Sequence, residues 1–316
     1  MNRRHAWWGG AALAAIALGG ASFAAAAIVT ATPEAHVLRY LDALADDDLV
    51  GAAVLAGLPA DSALPLGDDG RPEVTRVVER VDRPDGAVEI VAEYGALDDV
   101  AVARFVLAPA APHLGIVPVW QFAQLPIAAL DVGVDHHDRL TVNGRPVQTG
   151  AAGAVATVAV FVPSRVTASL ADPFVRAESI TVRVDGDAPQ AITLEARPTD
   201  ALERAVLAEL EIFMTQCTAQ QVLLPTGCPF GRTVADRVVG RPQWQLDSDL
   251  ALTIVAGDIA GRWNVIGTAE VRLTATVQRL RDGGVSELDD VVTSTITGEV
   301  VLQPDGPRLT IYSPRD

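Results

Sequence analysis

An uncharged apolar stretch near the N-terminus constrains this chain more than any other feature. Residues 6–31 contain no Asp, Glu, Lys or Arg, and only the short start of residues 1–5 precedes them. A helix of about twenty apolar residues crosses the roughly 30 Å hydrocarbon core of a bilayer. The stretch is long enough to span with some tilt. We therefore predict a transmembrane anchor at residues 6–31 behind a cytoplasmic tail.

The residues beside this stretch predict its orientation. Arg3 and Arg4 precede it, and positively charged flanks stay on the cytoplasmic side. Trp7 and Trp8 lie at the same edge, where amphipathic rings favour the headgroup level. Residues 32–316 are therefore expected outside the cytoplasm, in a single-pass protein of the cell membrane.

A cleaved secretory signal is the alternative interpretation. Small residues at 24–26 and 29–31 would suit a signal peptidase. The apolar run is longer than the roughly 7–15 residues of a signal core, which favours retention. No cysteine lies at 15–30, so a lipid-modified N-terminus is excluded. Both interpretations export the rest of the chain.

Charge and missing motifs exclude several function classes. Of 24 basic residues, all arginine, 22 follow residue 31, as do all 40 acidic ones, and the net charge is −16. An acidic surface repels nucleic-acid phosphates and anionic headgroups, so binding to DNA or RNA is not expected. No Walker loop can exist without lysine, and Gly-x-Ser-x-Gly is absent.

The two cysteines predict a structural disulfide between Cys217 and Cys228. An even cysteine count in an exported region favours pairing. Cys217 ends an apolar stripe with helical spacing, made of Leu202, Val206, Leu210, Phe213 and Cys217. Residues 225–227, Pro-Thr-Gly, then turn the chain back toward Cys228. A redox pair or a zinc site is less favoured, because Cys-x-x-Cys spacing and nearby histidines are missing.

Periodicity divides the exported part into three modules. Residues 32–124 are predicted as helices followed by an antiparallel sheet, with Thr32 as helix cap and alternating apolar residues from Val88 to Tyr94. Residues 125–197 are predicted as a small β-sandwich, in which Asn143-Gly144 marks a hairpin.

Residues 198–316 repeat the order of the first module. A helix at 200–220 precedes strands that include 263–266 and 269–277. The predicted fold class is therefore α+β. It combines one N-terminal transmembrane helix with two cone-like domains, each a helix plus a curved antiparallel sheet, flanking the all-β sandwich.

Three segments carry a resemblance to known families. Residues 33–46 with the following strands resemble the opening of the nuclear-transport-factor-2-like cone fold. Residues 217–230 and the hairpin at 140–147 are similar to membrane-anchored envelope proteins of actinobacteria. The layout is similar to the exported part of the teicoplanin-resistance-associated membrane protein family. That family has a zinc ribbon before its membrane helix, which this sequence lacks. The resemblance implies a cell-envelope role and no known activity.

Few residues suggest a metal site. Residues 135–138 read Asp-His-His-Asp, but adjacent strand residues point to opposite faces, so one ion would reach only part of them. We interpret this segment as a solvated loop. The acidic runs 46–48 and 68–69 lack the alternating ligands and glycine turn of a calcium loop. No metal and no cofactor is predicted.

Few residues suggest catalysis either. Glu79, Glu89 and Glu93 are candidates to flank a cone pocket as acid and base, but strand alternation places them on a wet face. The aromatic residues that are candidates to line such a pocket are interpreted as core and rim side chains. They are Tyr94, Trp120, Trp244 and Trp263. No catalytic residue is predicted.

Two function hypotheses follow. The first is a non-enzymatic binding or scaffold protein of the cell envelope, attached to the membrane by its N-terminal helix and engaging an envelope protein or ligand. The alternative is an exported small-molecule carrier or enzyme that uses a pocket inside a cone-like domain. A deep pocket with converging ionisable side chains would favour the alternative.

Overall fold

The computed structural model describes residues 31–59, 62–67, 70, 72–113, 117–186, 190–303 and 305–312. The predicted anchor, except residue 31, lies outside these ranges, as do Arg3, Arg4, Trp7 and Trp8. None of the helices within the described ranges has the length and apolar character needed to cross a bilayer.

The chain is mostly β, and the predicted α+β class is wrong. Strands take up 52 % of the described residues and helices 15 %. The helices of the described part are α1 (Pro33–Ala45), α2 (Leu49–Ala56) and α3 (Asp200–Thr218). Each helix covers only part of a sheet, and the strands are longer than the alternating apolar segments from which they were predicted. The third unit is one five-stranded sheet that forms half a barrel.

The first unit packs α1 and α2 on an antiparallel sheet with the order β1-β2-β3-β4. The strands are β1 (Val74–Asp82), β2 (Val88–Ala96), β3 (Asp99–His113) and β4 (Val117–Phe122). The predicted cap of α1 is confirmed, because the Ala35 N–H donates to Thr32 Oγ1 at 3.2 Å. The alternation in β2 is also confirmed, since Val88, Ile90, Ala92 and Tyr94 are all buried.

An aromatic cluster fills the interior of this unit. Tyr40 packs edge-on against Phe122, with ring centroids 5.2 Å apart, and against Phe105 at 6.0 Å. It also meets Phe161, at 6.2 Å, which comes from the following unit. Edge-to-face packing of this kind is the favoured geometry of aromatic pairs. The cluster therefore joins α1 to β3, β4 and the following unit in one packed core.

The second unit consists of two facing sheets around one core. Its strands are β5 (Ile127–Val134), β6 (Arg139–Val142), β7 (Arg145–Gln148), β8 (Val155–Phe161), β9 (Ser164–Ser169), β10 (Val175–Arg176), β11 (Ile180–Val184), β12 (Gln190–Leu194) and β13 (Arg197–Pro198). The sheets have the orders β11-β9-β6-β7 and β12-β5-β8, and β10 pairs with β13. The Asn143-Gly144 hairpin is confirmed, with both residues at positive φ.

The third unit places α3 on a sheet built around two long strands. The strands are β14 (Arg237–Leu246), β15 (Ala251–Ala256), β16 (Arg262–Gln278), β17 (Val285–Gln303) and β18 (Gly306–Tyr312). They have the order β14-β16-β17-β18, and β15 also pairs with β16. The buried stripe of α3 contains Met214 where the sequence predicted Phe213, which is half-buried. One continuous core joins this unit to the second.

Tyr40 links the first unit to the second. Its hydroxyl donates to the backbone carbonyls of Pro126, at 3.1 Å, and Val162, at 2.9 Å. The side chain is fully buried. Burial raises the pKa of Tyr40 well above the ordinary 10.0, and the nearby Tyr94 adds to the rise. The hydroxyl therefore stays protonated in alkaline solution as long as the chain is folded.

The buried Tyr40 hydroxyl should make the folded protein less stable in alkaline solution. The unfolded tyrosine ionises near pH 10 and the folded one does not, so above pH 10 the folded state binds more protons. We expect Tyr40 to lower the free energy of unfolding by up to about 1.4 kcal/mol per pH unit there. The Tyr40→Phe variant should lack this pH dependence. Near pH 7 its free energy of unfolding should be lower by about 1–3 kcal/mol, because the carbonyls of Pro126 and Val162 lose their donor. Urea unfolding from pH 7 to pH 11 measures both effects.

Tyr312→Phe is the matched control, because Tyr312 is exposed. It should retain the alkaline slope of the unmodified protein. Equal slopes for Tyr40→Phe and the unmodified protein would contradict the assignment.

Candidate functional site

A polar cleft of about 490 Å³ lies where the second unit meets the third. We call it the junction cleft. The loop between β5 and β6, the end of β7 and the segment before β10 form one side. The start of β16 and the end of β17 form the other. Its polar lining consists of His136, His137, Asp138, Arg139, Gln148, Asp172, Arg262 and Gln303.

Two glycines allow the walls of the cleft to approach each other. Gly153 has φ +72, and a Cβ placed there would lie 2.9 Å from the Ala260 side chain. Gly261 has φ +82, and its Cβ would lie 3.0 Å from Ala152. Side chains at either position would be strained and would push the two turns apart. The glycines thus fix the relative position of the two walls.

His137 is a structural link in the wall of the cleft. The Arg139 N–H donates to its Nδ1 at 3.0 Å, so we assign the ring proton to Nε2, which donates to Asp172 Oδ2 at 3.3 Å. Asp172 Oδ1 accepts the backbone N–H groups of Phe174 and Val175 at 2.8 and 3.2 Å. With both ring nitrogens engaged, His137 holds the loops together and has no lone pair available as a general base.

His136 has no such partner. It adopts a left-handed backbone conformation, φ 58°, and its ring lies against Trp263 with centroids 5.2 Å apart. His136 Nδ1 and Trp263 Nε1 are both buried and have no hydrogen-bond partner among the described residues. Each such atom costs about 1–3 kcal/mol. Residues 135–138 do form a loop, as interpreted, and Asp135 and Asp138 are exposed in it, but His137 is buried and His136 is half-buried.

The charged groups of the cleft are already paired. Arg262 Nη1 donates to Glu299 Oε1 at 2.9 Å. Arg139 Nε lies 3.4 Å from Asp138 Oδ1. The lining therefore carries little net charge, in contrast to the strongly acidic chain. Uncharged amide groups at Gln148 and Gln303 complete it.

No metal centre is assembled in the described residues. No three His, Cys, Asp or Glu side chains there lie close enough together to hold an ion. Asp48 instead caps α2, accepting the Gly51 N–H at 2.9 Å. Asp68 and Asp69 lie outside the described ranges.

The glutamates considered for acid–base roles form ion pairs on the solvent face. Glu89 contacts Arg83 at 2.7 Å and Arg104 at 3.3 Å, and Glu93 contacts Arg76 at 2.7 Å. The hydrogen bond from Arg83 holds the pKa of Glu89 below its ordinary value. Glu79 is exposed, as the wet-face interpretation expected, whereas Glu89 and Glu93 are half-buried beneath the arginines that pair with them.

The aromatic residues occupy core and rim positions, as interpreted. Tyr94, Trp244 and Trp263 are buried, and Trp120 is half-buried beside the first core. Trp244 Nε1 donates to the Val222 carbonyl at 2.7 Å. None of the four lines the junction cleft.

The predicted cysteine pair is present. Cys217, at the end of α3, and Cys228 form a disulfide with their Cα atoms 5.7 Å apart, and both are buried. The Gln220 amide reinforces the loop, since its Oε1 accepts the Thr226 N–H at 2.9 Å. The loop leads to Phe230, which packs on Trp244 with ring centroids 4.9 Å apart.

A second cavity, of about 370 Å³, lies where the first unit meets the second. Its ionisable lining side chains are Arg104 and Asp185. It is therefore also a junction between units, and not the interior of a helix-covered sheet, where the alternative hypothesis expected a pocket.

Comparison of the chain with protein-family models, with curated protein sequences and with solved structures gave no match. The resemblance to actinobacterial envelope proteins and to the cone fold stays a prediction.

Sequence reasoning singled out His136 and His137 but missed the cleft around them. Asp172, Arg262 and Gln303 belong to three distant segments, and no local pattern connects them. The one available signal was glycine, at Gly153 and Gly261, where two turns come together.

Proposed function

We propose that this protein is a non-enzymatic binding or scaffold protein of the cell envelope, held at the membrane by its N-terminal apolar segment. The Cys217–Cys228 disulfide carries the proposal. Disulfides persist in oxidising compartments outside the cytoplasm, and the uncharged stretch 6–31 supplies a means of export. The envelope role implied by the resemblance agrees with this location.

The state of the ionisable groups supports binding over catalysis. An acid–base or nucleophilic mechanism needs a side chain whose reactive atom is available to a substrate. In the junction cleft both nitrogens of His137 are engaged, and Arg262 and Arg139 lie beside carboxylates. Nδ1 of His136 is unpaired among the described residues, but it is buried and has no second group beside it to form an acid–base pair. The alternative, a pocket inside a helix-covered sheet, has little support, because buried aromatic side chains occupy the space between α1 and the first sheet.

Fractionation of cells that express the full chain tests the location. We expect the protein in the membrane fraction, digestion of its exported part by protease added to intact protoplasts, and no thiol labelling before reduction. Ile16→Arg/Leu18→Arg is the control, because two charges at the centre of the apolar stretch each cost roughly 2.5–3.5 kcal/mol on insertion. That variant should remain in the cytosol with labelled cysteines.

Other outcomes would change the proposal in specific ways. An intact, unmodified chain in the cytosol with both thiols free would contradict it. A shortened chain released outside the cell would retain export and refute the anchor. Affinity purification from native membranes followed by mass spectrometry then tests the binding role, which recovery of no protein or envelope component would contradict.

A further inference from the structure

The lining of the junction cleft includes both hydrogen-bond donors and hydrogen-bond acceptors. Arg139 and Arg262 can only donate, Asp138 can only accept, and the amides of Gln148 and Gln303 do both. A hydroxyl group is itself a donor and an acceptor. A ligand rich in hydroxyl groups therefore matches this lining, whereas an anion would use only the donors and a cation only the acceptors.

The charge state of the cleft also argues against an ionic ligand. Glu299 lies 2.9 Å from the Arg262 guanidinium, and Asp138 lies 3.4 Å from that of Arg139. An anion would have to compete with these carboxylates. A metal ion would need a group of three ligands, and none exists in the described residues. A neutral ligand leaves both pairs intact.

The cleft includes an apolar surface beside its polar groups. The Phe174 ring is half-buried and lines the cleft together with Val301 and Leu302. The face of a sugar ring that presents C–H groups packs well on an aromatic ring, whose face is electron-rich. The Phe174 backbone is fixed, because its N–H donates to Asp172 Oδ1 at 2.8 Å. The ring is thus positioned before a ligand arrives.

One wall contains a polar atom that the described residues leave unpaired. It is the buried Nδ1 of His136, whose ring packs on Trp263. Nε1 of Trp263, which lies behind the wall and is 1 % exposed, has no partner among the described residues either. His136 itself lines the cleft. No hydrogen bond from the described residues engages this Nδ1, so a ligand hydroxyl that reaches it would supply the missing partner. Buried polar groups without partners are rare outside functional sites.

We propose that the junction cleft binds a neutral saccharide of one or two sugar rings. The cavity of about 490 Å³ falls within the roughly 300–1,000 Å³ typical of small-molecule sites. Its position between two units that share a core makes it largely preformed, which reduces the entropic cost of binding. This inference rests on the proposed binding function and names its ligand class.

Saturation-transfer NMR on the full chain in nanodiscs tests the inference. Cellobiose, maltose and chitobiose, each at millimolar concentration, are the probes. We expect transfer to the ring protons of at least one of them. The double variant Gln148→Ala/Gln303→Ala should weaken its binding at least tenfold, and Phe174→Leu about fivefold. Both glutamines are exposed, so the double variant should fold.

Gln245→Ala is the matched control, because Gln245 is an exposed amide on β14, away from the cleft. It should leave saccharide binding unchanged. Co-sedimentation with a neutral polysaccharide and with vesicles containing a neutral glycolipid distinguishes the two sources of such a ligand.

Three results would overturn the inference. They are no transfer to any of the three disaccharides, transfer that the double variant leaves unchanged, and displacement of the disaccharide by inorganic phosphate. Its failure is separable from that of the proposed location. Saccharide binding by a cytosolic chain would refute only the location, and an exported chain without saccharide binding would refute only the ligand class.

Discussion

Replacing both Cys217 and Cys228 with alanine is expected to lower the free energy of unfolding by about 3 kcal/mol. The two residues are 11 positions apart, and the cross-link removes the conformational freedom of that loop from the unfolded chain. The loss should extend to the packing of Phe230 on Trp244, because the loop leads directly to Phe230 and its Val222 carbonyl accepts the Trp244 indole N–H. Urea unfolding followed by tryptophan fluorescence measures the change.

Reduction of the unmodified protein provides an independent comparison. Dithiothreitol should reproduce most of the loss without altering the sequence, and it should have no effect on the double variant. A change below 1 kcal/mol in both experiments would show that the hydrogen bonds of the loop hold it without the cross-link.

Leu210→Ala is expected to lower the free energy of unfolding by about 2–5 kcal/mol. Leu210 is fully buried at the centre of the α3 stripe and lies over Gly267 of β16. Truncation removes apolar contacts and leaves a cavity between the helix and the half-barrel, where Gly267 has no side chain to fill it. Urea unfolding measures the loss.

Ile212→Ala is the control for this prediction. It lies two positions further along the same helix and removes a similar volume, but Ile212 is 61 % exposed. Its effect should stay within about 0.5 kcal/mol. Similar losses for the two variants would contradict the assignment of the α3 stripe as core.

Local features of this fold could be predicted because local sterics and hydrogen bonds determine them. The Thr32 cap, the Asn143-Gly144 hairpin and the alternation of β2 each depend on a few neighbouring residues. The Cys217–Cys228 pair is also local, since a helix end and one turn bring the sulfurs together. Such short-range features can be predicted because the residues that form the pattern are the same residues that stabilise the local structure.

Long-range features could not be predicted in the same way. Residues 263–266 and 269–277 were predicted as separate strands, but they form one 17-residue strand, β16, which continues through Gly267 because β15 and β17 hold it on both sides. The parallel pairing of β12 with β5 also has no local signal. Strand lengths underestimated in this way are the reason that the fold class was wrong.

The junction cleft shows the same limit. Its histidines were conspicuous in the sequence, but the pairing of His137 with Asp172 depends on how two sandwich loops fold together. The contact between Gly153 and Ala260 depends on how the second and third units pack. The candidate site could therefore be recognised only after the tertiary structure was known.

Phe161 has a mechanical consequence for the first two units. Its ring completes the aromatic cluster around Tyr40, whose hydroxyl is itself bound by two carbonyls of the next unit. Neither unit can rotate against the other without exposing that ring and breaking those bonds. A force applied at Thr32 would be transmitted through this cluster to the second unit. A fragment that ends at residue 124 would lack Phe161 and therefore part of the core of the first unit.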